Sequence, residues 1–152
     1  MNNILRQAGA IPFRHDQEGL RVILIMSRDT GRWVIPKGNI EKTQTAAQAA
    51  ALEAYEEAGV KGTISEIPLG LFTYSKRLSS GALRPTTVEV YALQVKKQLK
   101  KWPERRQRQY KWMPVCEAEK LVDEPGMIIL LRRLEQIEAE KVATVKPKLP
   151  EL

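Results

Sequence analysis

The sequence predicts a single α/β domain. Three observations carry this reading. Apolar runs of strand length recur between turn residues, one alanine-rich helical segment sits among them, and a second helical stretch with an apolar stripe closes the chain. At 152 residues the chain has the size of one domain and can bury a proper core. The domain is expected over residues 1–143, with no internal repeat. Residues 144–152 are expected as a flexible tail, because Lys146-Pro-Lys-Leu-Pro150 cannot continue a helix.

Residues 4–13 and 20–27 read as two strands joined by the polar turn His15-Asp-Gln-Glu-Gly19. Arg28-Asp-Thr-Gly-Arg32 is a turn, and 33–35 a short strand closed by Pro36-Lys37-Gly38. Thr45 followed three residues later by Gln48 has the form of a capping box, so a helix starts there. Seven of the next thirteen residues are alanine, the best helix former. Gly59 stands where a left-handed cap would end that helix. Residues 66–74 and 86–93 read as strands on either side of the basic loop 75–81, and 110–113 as a last short strand. Residues 114–122 and 125–142 read as helices, the second with Met127, Ile128, Leu131 and Leu134 on one face.

Composition narrows the function classes. Lys and Arg total 25 against 18 Asp and Glu, a net charge of +7 that favours an anionic partner without separating nucleotide, inositol phosphate and nucleic acid. The single Cys116 excludes an internal disulfide and fits a reducing cytoplasm. Beside Glu117 at a helix start, it reads as a packed thiol rather than a nucleophile. The lone His15 has no catalytic partner in its turn. The longest apolar run, Val22-Ile-Leu-Ile-Met26, is of strand length, so neither a membrane span nor a signal peptide is expected. The chain is compatible with a monomer or a homodimer.

The chemistry concentrates on the alanine-rich helix. Glu53, Glu56 and Glu57 lie at i, i+3 and i+4, which places three carboxylates on one face with no basic residue on the helix to offset them. Most such clusters are solvated acidic faces. Set between spaced glycines, this one reads instead as a cation site. Oxygen donors with no His or Cys nearby point to a hard ion, Mg²⁺ or Mn²⁺, rather than zinc.

The segment Gly38-Asn-Ile-Glu41-Lys-Thr-Gln44, continuing through Leu52-Glu53-Ala54-Tyr-Glu56-Glu57-Ala-Gly59-Val60, resembles the Nudix box, G-x5-E-x7-R-E-U-x-E-E-x-G-U with U a bulky apolar residue. Gln44 stands where the family has Glu, Leu52 where it has Arg, and Ala54 is small for its position. Gly31-Arg-Trp-Val-Ile-Pro-Lys-Gly38 is similar to the approach segment of the bacterial diphosphoinositol-polyphosphate-phosphohydrolase-like branch. Trp112-Met-Pro-Val-Cys-Glu-Ala118 matches the W-x4-E-A found there. The resemblance covers most of residues 8–135.

It implies the Nudix fold, a mixed β-sheet sandwiched between α-helices (α/β/α), and divalent-cation-dependent hydrolysis of a pyrophosphate bond in a phosphorylated small molecule. By position it implies Glu53, Glu56 and Glu57 as catalytic metal ligands, with the Gly38 backbone carbonyl facing the metal. One of these carboxylates, or one from a later loop, would orient or deprotonate the attacking water. Glu104 and Glu89 are the candidates outside the box. In the family the residue at position 52 supplies a guanidinium that pairs with a box carboxylate and fixes its rotamer; with Leu52 here, Glu53 is expected to be oriented by the metal or by another donor. Charge-assisted hydrogen bonds of that kind are worth roughly 1.5–3 kcal/mol, or about 10- to 150-fold in rate if fully expressed in the transition state. Gln44 keeps the shape of Glu but loses its charge.

For substrate, Arg28, Arg32, Lys37 and Lys42 flank the box, and Lys76, Arg77 and Arg84 surround the next hairpin. Together they would form a cationic bowl for a diphosphoinositol or dinucleoside polyphosphate. Trp33, Phe72 and Tyr74 either stack a base or belong to the core. The second basic run, Lys96 to Lys111, is either a nucleic-acid surface or a loop whose aromatics Trp102 and Tyr110 pack inward, the latter preferred. The alternative function is a catalytically degenerate Nudix-fold module that binds nucleotide or RNA.

Overall fold

The computed structural model describes residues 4–145. Strand β1 (Leu5–Asp16) runs into β2 (Gly19–Met26) through a tight turn, with Phe13 opposite Val22 and Asp16 opposite Gly19. Two short strands follow, β3 (Trp33–Val34) on β2 and β4 (Lys37–Asn39) on β1. Helix α1 (Ala46–Ala58) leads to β5 (Val60–Ile64). Then come β6 (Gly70–Arg77) and β7 (Leu83–Gln98), β8 (Tyr110–Pro114), and helices α2 (Val115–Leu121) and α3 (Pro125–Val145).

The strands form one mixed eight-stranded sheet with the central order β3-β2-β1-β7-β5. Its spine is the parallel pairing of β1 with β7, from Leu5 opposite Thr86 to Phe13 opposite Gln94. All its other strand pairings are antiparallel.

Both faces of the central strands are covered, which explains the unbroken apolar runs. On one face Ile11, Phe13, Val22, Leu24, Val88 and Val90 pack with α2 and α3 through Ala118, Met127, Leu131 and Leu134. On the other, Ala8, Ala10, Ile23, Ile25, Tyr91 and Leu93 meet the alanine stripe of α1, Ala49, Ala50, Ala54 and Ala58. The small residues there let the helix lie close to the sheet, and this gives Ala54 its place. The result is the expected α/β/α sandwich.

Several local expectations need correction. Strands β4 and β5 were not anticipated: Lys37-Gly-Asn39 has no apolar residue, and the middle of β5, Lys61-Gly-Thr63, is exposed. The strand expected over 66–74 starts only at Gly70, after Pro68. Residues 75–77, assigned to the basic loop, continue β6 and pair with 83–85 of β7. Strand β7 is twice the expected length because it pairs with β1, β6 and β5. Cys116 is exposed rather than packed. His15 lies within β1 and meets Glu138 Oε1 at 3.0 Å. Residues 144 and 145, assigned to the tail, are the last of α3; the expectation for 146–152 lies outside the described residues.

Candidate active site

Helix α1 positions the acidic residues, and its ends are built as the sequence implies. Thr45 Oγ1 accepts from the Gln48 amide at 3.1 Å, and Gln48 Oε1 accepts from the Thr45 amide at 2.9 Å. Gly59 closes the helix at φ +68°. With its alanine stripe on the sheet, the helix turns Glu53 and Glu57 along its flank toward the β4 segment. There Glu57 is only 6 % exposed. Its Oε1 accepts from the Lys37 amide at 3.0 Å, and its Oε2 lies 3.3 Å from Arg108 Nη1. Glu53 lies against Gly38 so closely that a Cβ there would fall 2.3 Å from Glu53 Oε1. That close approach, not a special dihedral, is what position 38 requires.

The third element is the loop between β7 and β8. Its start is tied to the end of α1: the Leu99 amide donates to Gly59 O at 2.7 Å, and the Glu104 amide to Glu56 O at 3.0 Å. Trp102, 8 % exposed, packs where any side chain at Gly59 would be. This anchoring delivers Glu104 and Arg108 to the carboxylates, and Arg108 Nη2 donates to Glu104 Oε1 at 2.7 Å.

Burial is the main force on these groups. It pushes the Glu57 carboxyl up to about 8, with Glu53 and Glu104 adding to the rise and Arg108 and the Lys37 amide opposing it. Glu53 is raised by burial and by neighbouring Glu56. Lys37 is lowered by burial, against the pull of Glu57. A pair of carboxylates held toward the neutral form in this way suits a divalent cation, which would offset both desolvation and mutual repulsion. Among the described residues no three acidic, His or Cys side chains already converge at ligand spacing. Glu57 is engaged by Arg108 and Lys37, and Glu56 does not line the cleft.

Above the acids lies a cleft of about 510 Å³. Of the expected substrate cations, Arg28, Arg32, Lys37 and Arg77 line it, with Lys76; Lys42 and Arg84 do not. Trp33, Phe72 and Tyr74 all line it too. Lys37 Nζ sits 5.0 Å from the Tyr74 ring centre, and the Tyr74 hydroxyl donates to Gln7 Oε1 at 2.8 Å. Arg28 donates to Gln107, and Arg32 pairs with Asp123 at 3.2 Å. Asp29, Asp123 and Glu124 share the lining, so the bowl is less uniformly cationic than expected. Glu104 lines the cleft and Glu89 does not.

Gln44 is also outside the cleft lining: its Oε1 accepts from the Glu41 amide at 3.1 Å, closing its own loop. Sequence reasoning missed Gln7, Arg108, Asp123 and Glu124. None of them carried a readable signal, and Arg108 in particular lies in a non-helical loop among other arginines.

The three-layer sandwich thus brings acidic side chains of α1, together with Glu104 from the loop before β8, to a cleft also lined by Arg28, Arg32, Lys37, Lys76 and Arg77. The family model of the NUDIX domain matches residues 4–134, and the chain belongs to that family as a Nudix hydrolase. It is 35 % identical to Nudix hydrolase 12, mitochondrial, of Arabidopsis thaliana, over 79 % of this chain and 67 % of that one. It is 32 % identical to diphosphoinositol polyphosphate phosphohydrolase 2 of Rattus norvegicus, over 77 % of this chain and 62 % of that one. The fold is similar to that of the C. elegans Ap4A hydrolase in its binary complex, with a TM-score of 0.68 at 23 % identity, covering 90 % of this chain and 99 % of that one. Members of this family generally use divalent cations.

Proposed function

We propose that this hydrolase cleaves a pyrophosphate bond in a diphosphoinositol polyphosphate or a dinucleoside polyphosphate, with Mg²⁺ or Mn²⁺ as cofactor. The observation that carries the reading is the pair of buried Glu57 and half-buried Glu53 lining a cleft rimmed by Arg28, Arg32, Lys37, Lys76 and Arg77. Glu53 and Glu57 would hold the cation, joined by Glu56 and the Gly38 carbonyl as the family pattern implies. A divalent cation there supplies charge neutralisation at the phosphoryl oxygens and makes water a better acid.

The chain's own groups do the rest. The cationic rim holds the phosphate chain in line for attack. Glu104, one of the cleft carboxylates outside the box and the one tied to the end of α1, orients the water and takes its proton as the new P–O bond forms. The bridging P–O bond breaks, and the leaving phosphate departs against the rim cations. Relatives named for diphosphoinositol polyphosphates support one substrate, and the aromatic residues beside the rim support a dinucleoside ligand. The exposed lysines and arginines between 96 and 106 lie outside the cleft lining, and of the two aromatics expected to pack inward Trp102 does so while Tyr110 is 41 % exposed; this run is not assigned to the cleft ligand.

The test is product release with Mg²⁺ and with Mn²⁺ from a panel of diphosphoinositol polyphosphate, diadenosine polyphosphates, ADP-ribose, deoxynucleoside triphosphates and triphosphorylated RNA. Turnover of one of the first two, reduced at least about 100-fold in Glu57→Gln, is the expected result for a residue of the catalytic charge site. Binding without turnover of every compound would instead support a degenerate binding module.

A further inference from the structure

Position 52 lacks the guanidinium that the box motif places there, and Leu52 is 40 % exposed on α1 with no polar atom to offer. Yet Glu57 is not left without a cation. We infer that Arg108, reaching in from the loop between β7 and β8, is the positioning residue of this active site, holding Glu57 and Glu104 in one fixed arrangement in place of the missing arginine.

Four observations support this. The Arg108 side chain is only 9 % exposed. Its two terminal nitrogens divide between the two carboxylates, Nη1 at 3.3 Å from Glu57 Oε2 and Nη2 at 2.7 Å from Glu104 Oε1. The planar fork of arginine suits such a bridge, and a lysine ammonium does not. The loop that carries it is pinned at Leu99, Trp102 and Glu104 to the end of the same helix that carries Glu57. Finally, Arg108 Nε is buried without a hydrogen-bond partner among the described residues, a cost that the bridge offsets. A positive charge beside the carboxylates opposes a bound cation. Its contribution is therefore placement of the two carboxylates, not affinity for metal.

The inference rests on the proposed function, but part of its test needs no substrate. In kinetics at saturating Mg²⁺, Arg108→Gln should lower kcat about 10- to 150-fold, the range expected for a charge-assisted hydrogen bond to the reacting arrangement. KM should stay within about threefold, since uniform substrate binding is not what is lost. Arg108→Lys should fall between wild type and Arg108→Gln. An unchanged kcat would overturn the inference, as would a rise in KM as large as the fall in kcat, which would make Arg108 a substrate ligand. In the substrate-free arm, Mn²⁺ should bind Arg108→Gln with unchanged stoichiometry but an altered electron paramagnetic resonance line shape. An identical spectrum would count against positioning even if the substrate assignment were wrong. Should Arg108→Gln not fold, Leu52→Arg decides on a well-folded background. With the role already filled, its rate should stay within about threefold of wild type; a gain of about tenfold or more, the worth of one such bond, would show the role vacant.

Discussion

At the scale of the residue, the site depends on where side chains are allowed to be as much as on what they are. Gly38 is the clearest case. A methyl there would overlap the Glu53 carboxylate, 2.3 Å from Oε1, and the carboxylate, being the end of a flexible side chain, would move. Gly38→Ala should therefore leave unfolding free energy within about 1 kcal/mol of wild type while lowering kcat at least about tenfold, as misplacement of a catalytic group does; urea unfolding and steady-state kinetics check both halves. That Glu53 and Glu57 share one flank was legible because spacing on a helix fixes direction, though the same spacing did not bring Glu56 into the cleft lining. Arg108 was not, because nothing in Arg105-Arg-Gln-Arg108 says which of three guanidinium groups turns inward. Lys42 and Arg84 show the reverse: proximity to the box in sequence did not bring either into the cleft lining.

Among the elements, α1 and the loop after β7 behave as one unit. The capping box at Thr45 and the left-handed cap at Gly59 set the ends of the helix, and Trp102 occupies the space beside that second cap. Gly59→Ala asks for a β-carbon at φ +68° and places it 2.2 Å from the Trp102 ring. It should destabilise the protein by more than the ~1 kcal/mol typical of a strained backbone alone, and activity should fall with it as the loop loosens. Thr45→Ala, at the far end, should cost about 1 kcal/mol and leave kcat nearly unchanged; a loss of rate there would mean that the whole helix, not its C-terminal half, sets the carboxylates. Helix ends were readable in advance because caps are local chemistry. Strands β4 and β5 were not, since their backbones are recruited by partners distant in sequence, β1 and β7, rather than by any apolar pattern of their own.

Over the whole molecule, the burial of Glu57 ties stability to pH. The Glu57 carboxyl is raised to about 8 in the folded protein from an ordinary value of 4.5. Between those values the folded state holds the proton and the unfolded state does not, so this group's contribution to stability falls as pH rises. Glu53 acts in the same direction. With divalent cations chelated, the thermal midpoint should therefore drop from pH 5.5 to pH 8, to an extent reduced in Glu57→Gln. Saturating Mg²⁺ should remove the trend, because a cation replaces the proton as the neutralising charge. A midpoint that rose over this range would contradict the burial of Glu57. The sandwich itself was legible from runs buried on both faces and a helix of alanines, whereas the balance of charge in the cleft was not. Asp123 and Glu124 reach it only because α2 ends where it does.

The parallel seam between β1 and β7 has one more implication. More than half of these 152 residues precede the strand that pairs in parallel with β1, Leu83–Gln98. The acidic helix is translated well before that strand, but Glu104 and Arg108 arrive later still. Until that last loop is threaded onto Gly59, the nascent polypeptide displays glutamates without the bridge that disciplines them. On the proposed roles of Glu104 and Arg108, a chain cut short before this loop should therefore lack turnover.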